Sequence, residues 1–95
     1  MVEYLYDAIR AVAGQDVLIN AIATNPDETL ITTNCSLVLH SDTEELVKVD
    51  GVCSDHGMWE FTIPAEKTAG LAGRYWYCIQ HEGSNLCFKE PIYLL

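Results

Sequence analysis

Short clusters of turn-forming residues divide this chain at close intervals. They lie at residues 13–16, 25–28, 41–43, 50–51, 54–57 and 82–85. Each cluster contains Gly, Pro, Asn, Asp or Ser, whose backbone angles or short polar side chains favour a reversal of the chain. Short segments between such clusters are typical of β-sandwiches and barrels. We therefore predict an all-β chain.

Large apolar side chains recur at every second residue within these segments, as they do in half-buried strands. The residues that share a face are Trp59, Phe61 and Ile63 in one segment, Cys35, Leu37 and Leu39 in a second, and Tyr75, Tyr77 and Ile79 in a third. This pattern turns one face of a strand toward a core. We predict that Trp59, Phe61 and Tyr77 are structural core residues.

Three other segments complete the predicted strand set. Residues 16–23 and 86–95 have strand character, and Pro91 in the second indicates an exposed sheet edge or a bulge because it has no backbone N–H to donate. The segment 2–12 is ambiguous, since its apolar residues also have helical spacing. We favour a strand there because it agrees with the rest of the chain.

The segment 64–72 has the pattern of a short helical turn between two strands. Pro64 suits the first position of a helix, and Gly70 can end one. We expect Leu71, just after this turn, to lie under one end of the sandwich.

The strand after this turn opens with Gly73, Arg74 and Tyr75, and the arrangement resembles the corner between strands E and F of immunoglobulin-like domains. In that family the matching Tyr hydroxyl bonds back to the corner, so the resemblance implies structural roles for Gly73 and Tyr75. The implied fold is an antiparallel β-sandwich of about seven strands, with the helical turn between the fifth and sixth. Because 95 residues can enclose only one core, we expect one domain over residues 1–95.

Two features depart from antibody-type domains. The position of the second core cysteine falls on Tyr77, and Cys78 follows one residue later on the opposite face of the strand. Leu37 and Leu39 occupy the region where the family has a buried Trp. The sequence therefore argues against the inter-sheet disulfide of that family.

A longer pattern combines residues 59–68 (WEFTIPAEKT) with residues 70–77 (GLAGRYWY). It resembles small β-sandwich domains of tailed-bacteriophage structural proteins, such as the N-terminal domain of upper baseplate proteins. The resemblance implies a tail, baseplate or head-decoration component that docks to other virion proteins or to itself. Such a protein would be made in the bacterial cytoplasm without a signal peptide. The alternative is a bacterial immunoglobulin-like adhesion or carbohydrate-binding module, whose partners would be at the cell surface.

The charge balance narrows the range of partners. Fourteen acidic residues against five Lys and Arg give a formal net charge of −9. Nucleic acid is an unfavourable partner for such a chain, because binding to phosphates needs a basic surface. Residues 1–20 lack a signal-peptide core, and no apolar run approaches the length of a membrane span. We expect no membrane insertion.

Four cysteines lie at 35, 53, 78 and 87. Only Cys53 and His56 approach the spacing of a zinc-ligand pair, and a second pair would need Cys78 and His81, so we expect strand cysteines and no metal or cofactor. A disulfide between Cys78 and Cys87 would form if the hairpin turns at residues 82–83, but not if it turns at 83–84.

The Ser-Asp-His run at 54–56 has the composition of a turn and no surrounding catalytic motif. We therefore predict no catalytic residues. Trp76 and Met58 are the candidate interaction residues, because an exposed aromatic beside Met58 or Cys78 would mark a partner surface.

Overall fold

A computed structural model describes residues 9–86 and 90–95 of the chain. These residues are mostly β and form two sheets that pack as a sandwich-like fold. The elements in chain order are β1 (Ile9–Ala11), β2 (Val17–Ile22), β3 (Cys35–His40), β4 (Glu45–Asp50), β5 (Val52–Cys53), β6 (Met58–Ile63), α1 (Ala65–Thr68), β7 (Gly73–His81), β8 (Ser84–Asn85) and β9 (Glu90–Leu94).

The larger sheet has the strand order β1-β9-β7-β3-β4, and β8 pairs with β7 beside this path. Within it β1 runs parallel to β9, while the other pairs are antiparallel. The smaller sheet has the order β2-β6-β5, with antiparallel pairs. The described residues include nine strands, six of which have five or more residues. The predicted count of about seven lies between these two numbers.

The core lies between the two sheets, where the sequence pattern predicted it. Trp59, Phe61 and Ile63 are buried on β6, and β2 presents Val17 and Ile19 beside them. From the larger sheet, the packed side chains include Cys35, Leu37, Leu39, Tyr77, Ile92 and Leu94. The predicted inward faces of β3 and β6 are therefore confirmed.

The ring of Trp59 stacks on that of Phe61, with centroids 6.0 Å apart and planes inclined by 13°. Its indole N–H donates to the carbonyl oxygen of Ile31 over 2.8 Å, so the polar atom of a buried side chain is satisfied. Gly51 lies against these rings, and a Cβ there would be 2.5 Å from the ring of Phe61. Only glycine allows so close an approach.

The predicted helical turn is present as α1, between β6 and β7. Pro64 precedes its first residue instead of occupying it, and Gly70 follows with a φ of 83°. Leu71 packs against the core, as expected. Among the described residues there is no helix long and apolar enough to cross a membrane.

The strand predictions for segments 2–12 and 86–95 hold only in part. The end of segment 2–12 is a strand, β1, whereas residues 2–8 lie outside the described residues. The prediction of an exposed edge at Pro91 is wrong for the strand that follows it, because β1 pairs with β9 from Ile92 onward. Pro91 itself faces Trp76 on β7, and Ile9↔Ile92 is the first described pair between β1 and β9.

Candidate interaction surface

The outer face of the larger sheet brings together the polar and aromatic residues that alternate with its core residues. We call it the Trp76 face. Its members include Arg10 on β1, Val38 and His40 on β3, Arg74, Trp76 and Cys78 on β7, and Pro91 and Tyr93 on β9. They share this face because paired residues on neighbouring strands point to the same side of a sheet.

Trp76 is half-buried and is held in place by two neighbours. Its indole N–H donates to Oδ1 of Asp42 over 2.9 Å. The guanidinium of Arg74 lies 5.0 Å from the ring centroid, within the range of a cation–π interaction. Trp76 is therefore oriented by contacts within the chain itself.

Arg10, Tyr93 and Arg74 form one row across three neighbouring strands. The register aligns Arg10 with Tyr93, and Tyr93 in turn with Arg74. With strands spaced about 4.8 Å apart, the two arginine backbones lie on the order of 10 Å apart, on either side of the tyrosine. Both arginines are exposed and Tyr93 is half-buried. Two of the five basic residues of an acidic chain thus flank one aromatic ring.

The centre of the Trp76 face is closed to solvent. Cys78 and Val38 are fully buried although both point away from the main core. The sulfur of Cys78 lies 3.5 Å from Nε2 of His40 and 3.6 Å from Oδ1 of Asn85. The face therefore has a packed centre, with Trp76, Tyr93 and the arginines toward one end.

Met58 does not lie beside Trp76. It is on the outer face of the smaller sheet, opposite Ile22 in the β2–β6 register, and is 41% exposed. The prediction that the two residues could share one surface is wrong, because β6 and β7 belong to different sheets. Of the two neighbours proposed for Trp76, only Cys78 shares its face.

The predicted Gly73 and Tyr75 lie at the start of β7, at the corner that follows α1. Gly73 has a φ of 106°, which residues with a Cβ rarely adopt. Tyr75 packs against the core, but its hydroxyl has no hydrogen-bond partner among residues 9–86 and 90–95. The expected bond from Tyr75 to the corner backbone is therefore not present in the described part of the chain.

Thr68 closes this corner instead. Its hydroxyl accepts a hydrogen bond from the backbone N–H of Gly14 over 3.0 Å, and its proton is shared between the carbonyl oxygens of Gln15 and Ala65, each 3.1 Å away. The side chain is fully buried. Sequence reasoning missed Thr68, because nothing in a local pattern shows that the turn at 13–16 lies against α1.

Cys53 and Cys78, the two cysteines considered for a zinc site, lie in different sheets. Cys53 pairs with Trp59 and lies on the inward-facing parity of the smaller sheet, while Cys78 lies under the Trp76 face of the other sheet. In the described ranges, no group of three or more His, Cys, Asp or Glu could hold a metal ion. Burial raises the pKa of the Cys35 thiol, and the nearby Cys53 raises it further.

The hairpin after β7 turns at Glu82 and Gly83, both with positive φ, and aligns His81 with Ser84. Continued along the strand, this register would place Cys78 opposite Cys87. Tyr77, however, pairs with Glu90, which is two residues out of that register and, continued the other way, would place Cys78 opposite Lys89. Because Cys87 lies outside the described residues, the disulfide stays a prediction.

The Ser-Asp-His run forms a turn, as its composition indicated. The Ser54 hydroxyl accepts hydrogen bonds from the backbone N–H groups of His56 and Met58, over 3.2 and 3.1 Å. Its oxygen thus acts in the turn that connects β5 to β6.

The chain matched no protein-family model and no curated protein. Trp, Tyr and Arg are the residue types that dominate binding energy at protein interfaces. On the Trp76 face they lie on neighbouring strands, at one end of the packed centre.

Proposed function

We propose that this protein is a non-enzymatic interaction module that docks to another protein through the Trp76 face. The observation that carries the proposal is the row Arg10–Tyr93–Arg74 beside the oriented ring of Trp76. A side chain held in its bound orientation loses little further freedom on association, which favours affinity. The same row also defines the chemistry of the partner.

The partner surface that fits this row is acidic. The arginines present fork-shaped donors that match carboxylates, and Tyr93 lies between them. Asp42, Glu45 and Asp50 lie on or beside the Trp76 face, but most of the fourteen acidic residues lie elsewhere in the chain. An acidic partner would therefore be repelled from other sides and oriented toward this one, since complementary charge steers association.

The strand order supports an immunoglobulin-like fold of variable type. In such domains one sheet contains strands G, F, C and C′, and the other contains A, B, E and D. The order β9-β7-β3-β4 corresponds to G-F-C-C′, and the order β2-β6-β5 corresponds to B-E-D. In this correspondence α1 lies between strands E and F, where the sequence resemblance put the corner.

The resemblance of residues 59–77 to phage structural domains makes a virion the proposed setting, with a tail, baseplate or head protein as the partner. A carbohydrate-binding module would need an open aromatic ring face on which a sugar can stack. One face of Trp76 has the guanidinium of Arg74 over it. We therefore prefer a protein partner to a sugar.

The proposal is tested on phage particles purified from the bacterial host that carries this gene. Mass spectrometry should find the chain in a fixed ratio to the tail or head proteins. The variant Arg74→Glu should fold but be lost from the particles, because the new carboxylate would face the acidic surface of the partner and be repelled by it. Lys67→Glu, which makes the same charge change at an exposed position on α1, is the matched control and should be retained.

Absence of the wild-type chain from the particles would refute the virion setting. Equal incorporation of the two charge-reversed variants would refute the role of the Trp76 face. Circular dichroism of each purified variant separates either result from a failure to fold.

A further inference from the structure

The chain passes from the larger sheet to the smaller sheet at one short crossing, and a cysteine lies on each side of it. β4 ends at Asp50 and β5 begins at Val52, so Gly51 alone connects the two sheets at this point. The backbone N–H of Gly51 donates to the carbonyl oxygen of Cys35 over 3.0 Å. Cys53 follows Gly51 by two residues, which span at most about 7 Å when extended. The backbone therefore holds Cys53 close to Cys35.

Both cysteines lie on the inward faces of their sheets. Cys35 opens β3 on the same face as Leu37 and is only 2% exposed. Cys53 pairs with the buried Trp59, is half-buried and packs against the core. Both are free thiols. Gly51 contacts both sheets at once, since it is bonded to Cys35 and a Cβ on it would be 2.6 Å from the ring of Trp59. Packed sheets usually lie about 10 Å apart, so the sheets approach unusually closely beside the two cysteines.

Each cysteine lies within electrostatic reach of the other. Burial raises the pKa of the Cys35 thiol, and a negative charge on Cys53 raises it further. The interaction between two charges weakens with distance, so this effect agrees with the short separation that the backbone indicates. It also ranks the two thiols, because the thiolate is the reactive form and Cys35 forms it less readily. Cys53, which is half-buried, is the thiol that an oxidant reaches first.

We propose that Cys35 and Cys53 form a reversible disulfide that joins the two sheets. With oxidised glutathione as the oxidant, the Cys53 thiolate attacks one glutathione sulfur and displaces the first glutathione. Cys35 then attacks the Cys53 sulfur of this mixed disulfide and displaces the second. The two protein thiols give up two electrons and two protons, and one oxidised glutathione becomes two molecules of reduced glutathione. Cys35 has to reach only Cys53, so its burial does not prevent the second step.

The bond would make the stability of the sandwich depend on the redox conditions. It would close a loop that contains most of β3 and all of β4, and closing such a loop restricts the unfolded chain. Cytoplasmic thiols stay reduced, whereas proteins outside the cell can be oxidised. In the proposed virion setting, the protein would assemble with free thiols and gain the bond after the particle leaves the host. That timing rests on the proposed function, but the disulfide itself does not.

The proposed disulfide lies away from the Trp76 face. Cys35 and His40 are the two ends of β3, and Trp76 pairs with His40. Cys35 also points toward the core, whereas Trp76 lies on the outer face. Oxidation should therefore leave the orientation of Trp76 unchanged. Conversely, Arg74→Glu should leave the disulfide intact, which separates this proposal from the proposed docking function.

Peptide mapping of the full chain tests the pairing directly. The folded protein is treated with oxidised glutathione, its remaining thiols are blocked with N-ethylmaleimide, and it is digested with trypsin without reduction. Cleavage after Lys and Arg puts Cys35 in peptide 11–48 and Cys53 in peptide 49–67, and it leaves both other cysteines in peptide 75–89. We expect peptides 11–48 and 49–67 to be joined, with a mass two hydrogens below their sum. Dithiothreitol should separate them.

Matched variants and a stability measurement complete the test. Cys53→Ala should abolish the joined peptides, whereas Cys78→Ala and Cys87→Ala should retain them, and circular dichroism checks that each variant folds. Oxidation should raise the urea midpoint of the wild type but not that of Cys53→Ala. The proposal is overturned if peptide 11–48 stays unlinked, if it is joined to peptide 75–89 instead, or if oxidation leaves the wild-type midpoint unchanged.

Discussion

The two tryptophans of this protein have opposite environments. Trp59 lies in the core, stacked on Phe61, and donates its indole N–H to a buried main-chain oxygen. Trp76 lies half-buried on an outer face, under an arginine, and donates to the side chain of an exposed aspartate. Both N–H groups are satisfied, yet only the first is bonded to a group that water cannot reach.

This contrast distinguishes residues that stabilise the fold from residues that contribute little to stability and are available to bind a partner. A buried hydrogen bond and a stacked ring cannot be replaced by water when they are lost, whereas Asp42 and Arg74 can return to solvent. Stability should therefore depend strongly on Trp59 and weakly on Trp76, and partner binding should show the reverse.

The largest predicted effect is that of Trp59→Ala. Deleting this ring should cost about 3–5 kcal/mol of unfolding free energy, because it leaves a cavity beside Phe61. Trp76→Ala should cost about 1–2 kcal/mol, the sum of one exposed hydrogen bond and one cation–π contact. Urea denaturation of both variants measures the difference. Equal losses of unfolding free energy in the two variants would contradict the contrast between the two tryptophans and would mean that the Trp76 face is part of the structural core.

The next effect concerns the corner before β7, which orients the strand that carries Trp76. Thr68→Val keeps the shape of the side chain but leaves Gly14 N–H and the Gln15 carbonyl without their partner, at a cost of about 1–3 kcal/mol. Tyr75→Phe should change stability by less than about 0.5 kcal/mol. If thermal denaturation showed a larger loss of stability in Tyr75→Phe than in Thr68→Val, Tyr75 and not Thr68 would be the residue that closes the corner.

Gly73→Ala should destabilise by about 1 kcal/mol or more, because the φ of 106° is strained for a residue with a Cβ. No neighbouring atom lies within 4 Å of the added methyl group, so the cost would come from the backbone alone. Ala72→Gly, at the exposed preceding residue, is the control. A denaturation midpoint unchanged from wild type in Gly73→Ala would show that the corner relaxes without strain.

The smallest predicted effect is that of Asp42→Ala. Loss of the bond to Trp76 should lower stability by less than about 1 kcal/mol, because the freed indole N–H can bond to water. The fluorescence of Trp76 should nevertheless change, which can be followed in a Trp59→Phe background. An unchanged spectrum would mean that Asp42 does not orient the ring in solution.

The period-two pattern of the sequence was enough to predict which side chains enter the core. Phe61 and Leu39 could be assigned because parity depends only on the spacing of residues along one strand. The Trp76 face could be predicted only as far as β7 itself, where Arg74 and Trp76 share a parity. The row Arg10–Tyr93–Arg74 forms only because β9 lies between β1 and β7. Such pairings join residues that are distant in the sequence, and no local pattern predicts them.

The corner shows the same limit. Gly73 was identifiable from its place before a strand, whereas the role of Thr68 depends on a turn more than fifty residues away in the sequence. Met58 was grouped with Trp76 because both flank core residues, and the assignment of β6 and β7 to different sheets separates them.

Site-specific photo-crosslinking tests the central claim most directly. The photoreactive residue p-benzoyl-phenylalanine is placed at Tyr93 on the Trp76 face or at Val52, which is 72% exposed on the smaller sheet, during phage production in the host. The account predicts a cross-link from Tyr93 to a tail or head protein with an acidic surface, absent when Arg74→Glu is added. A cross-link to that protein from Val52 and not from Tyr93 would contradict it.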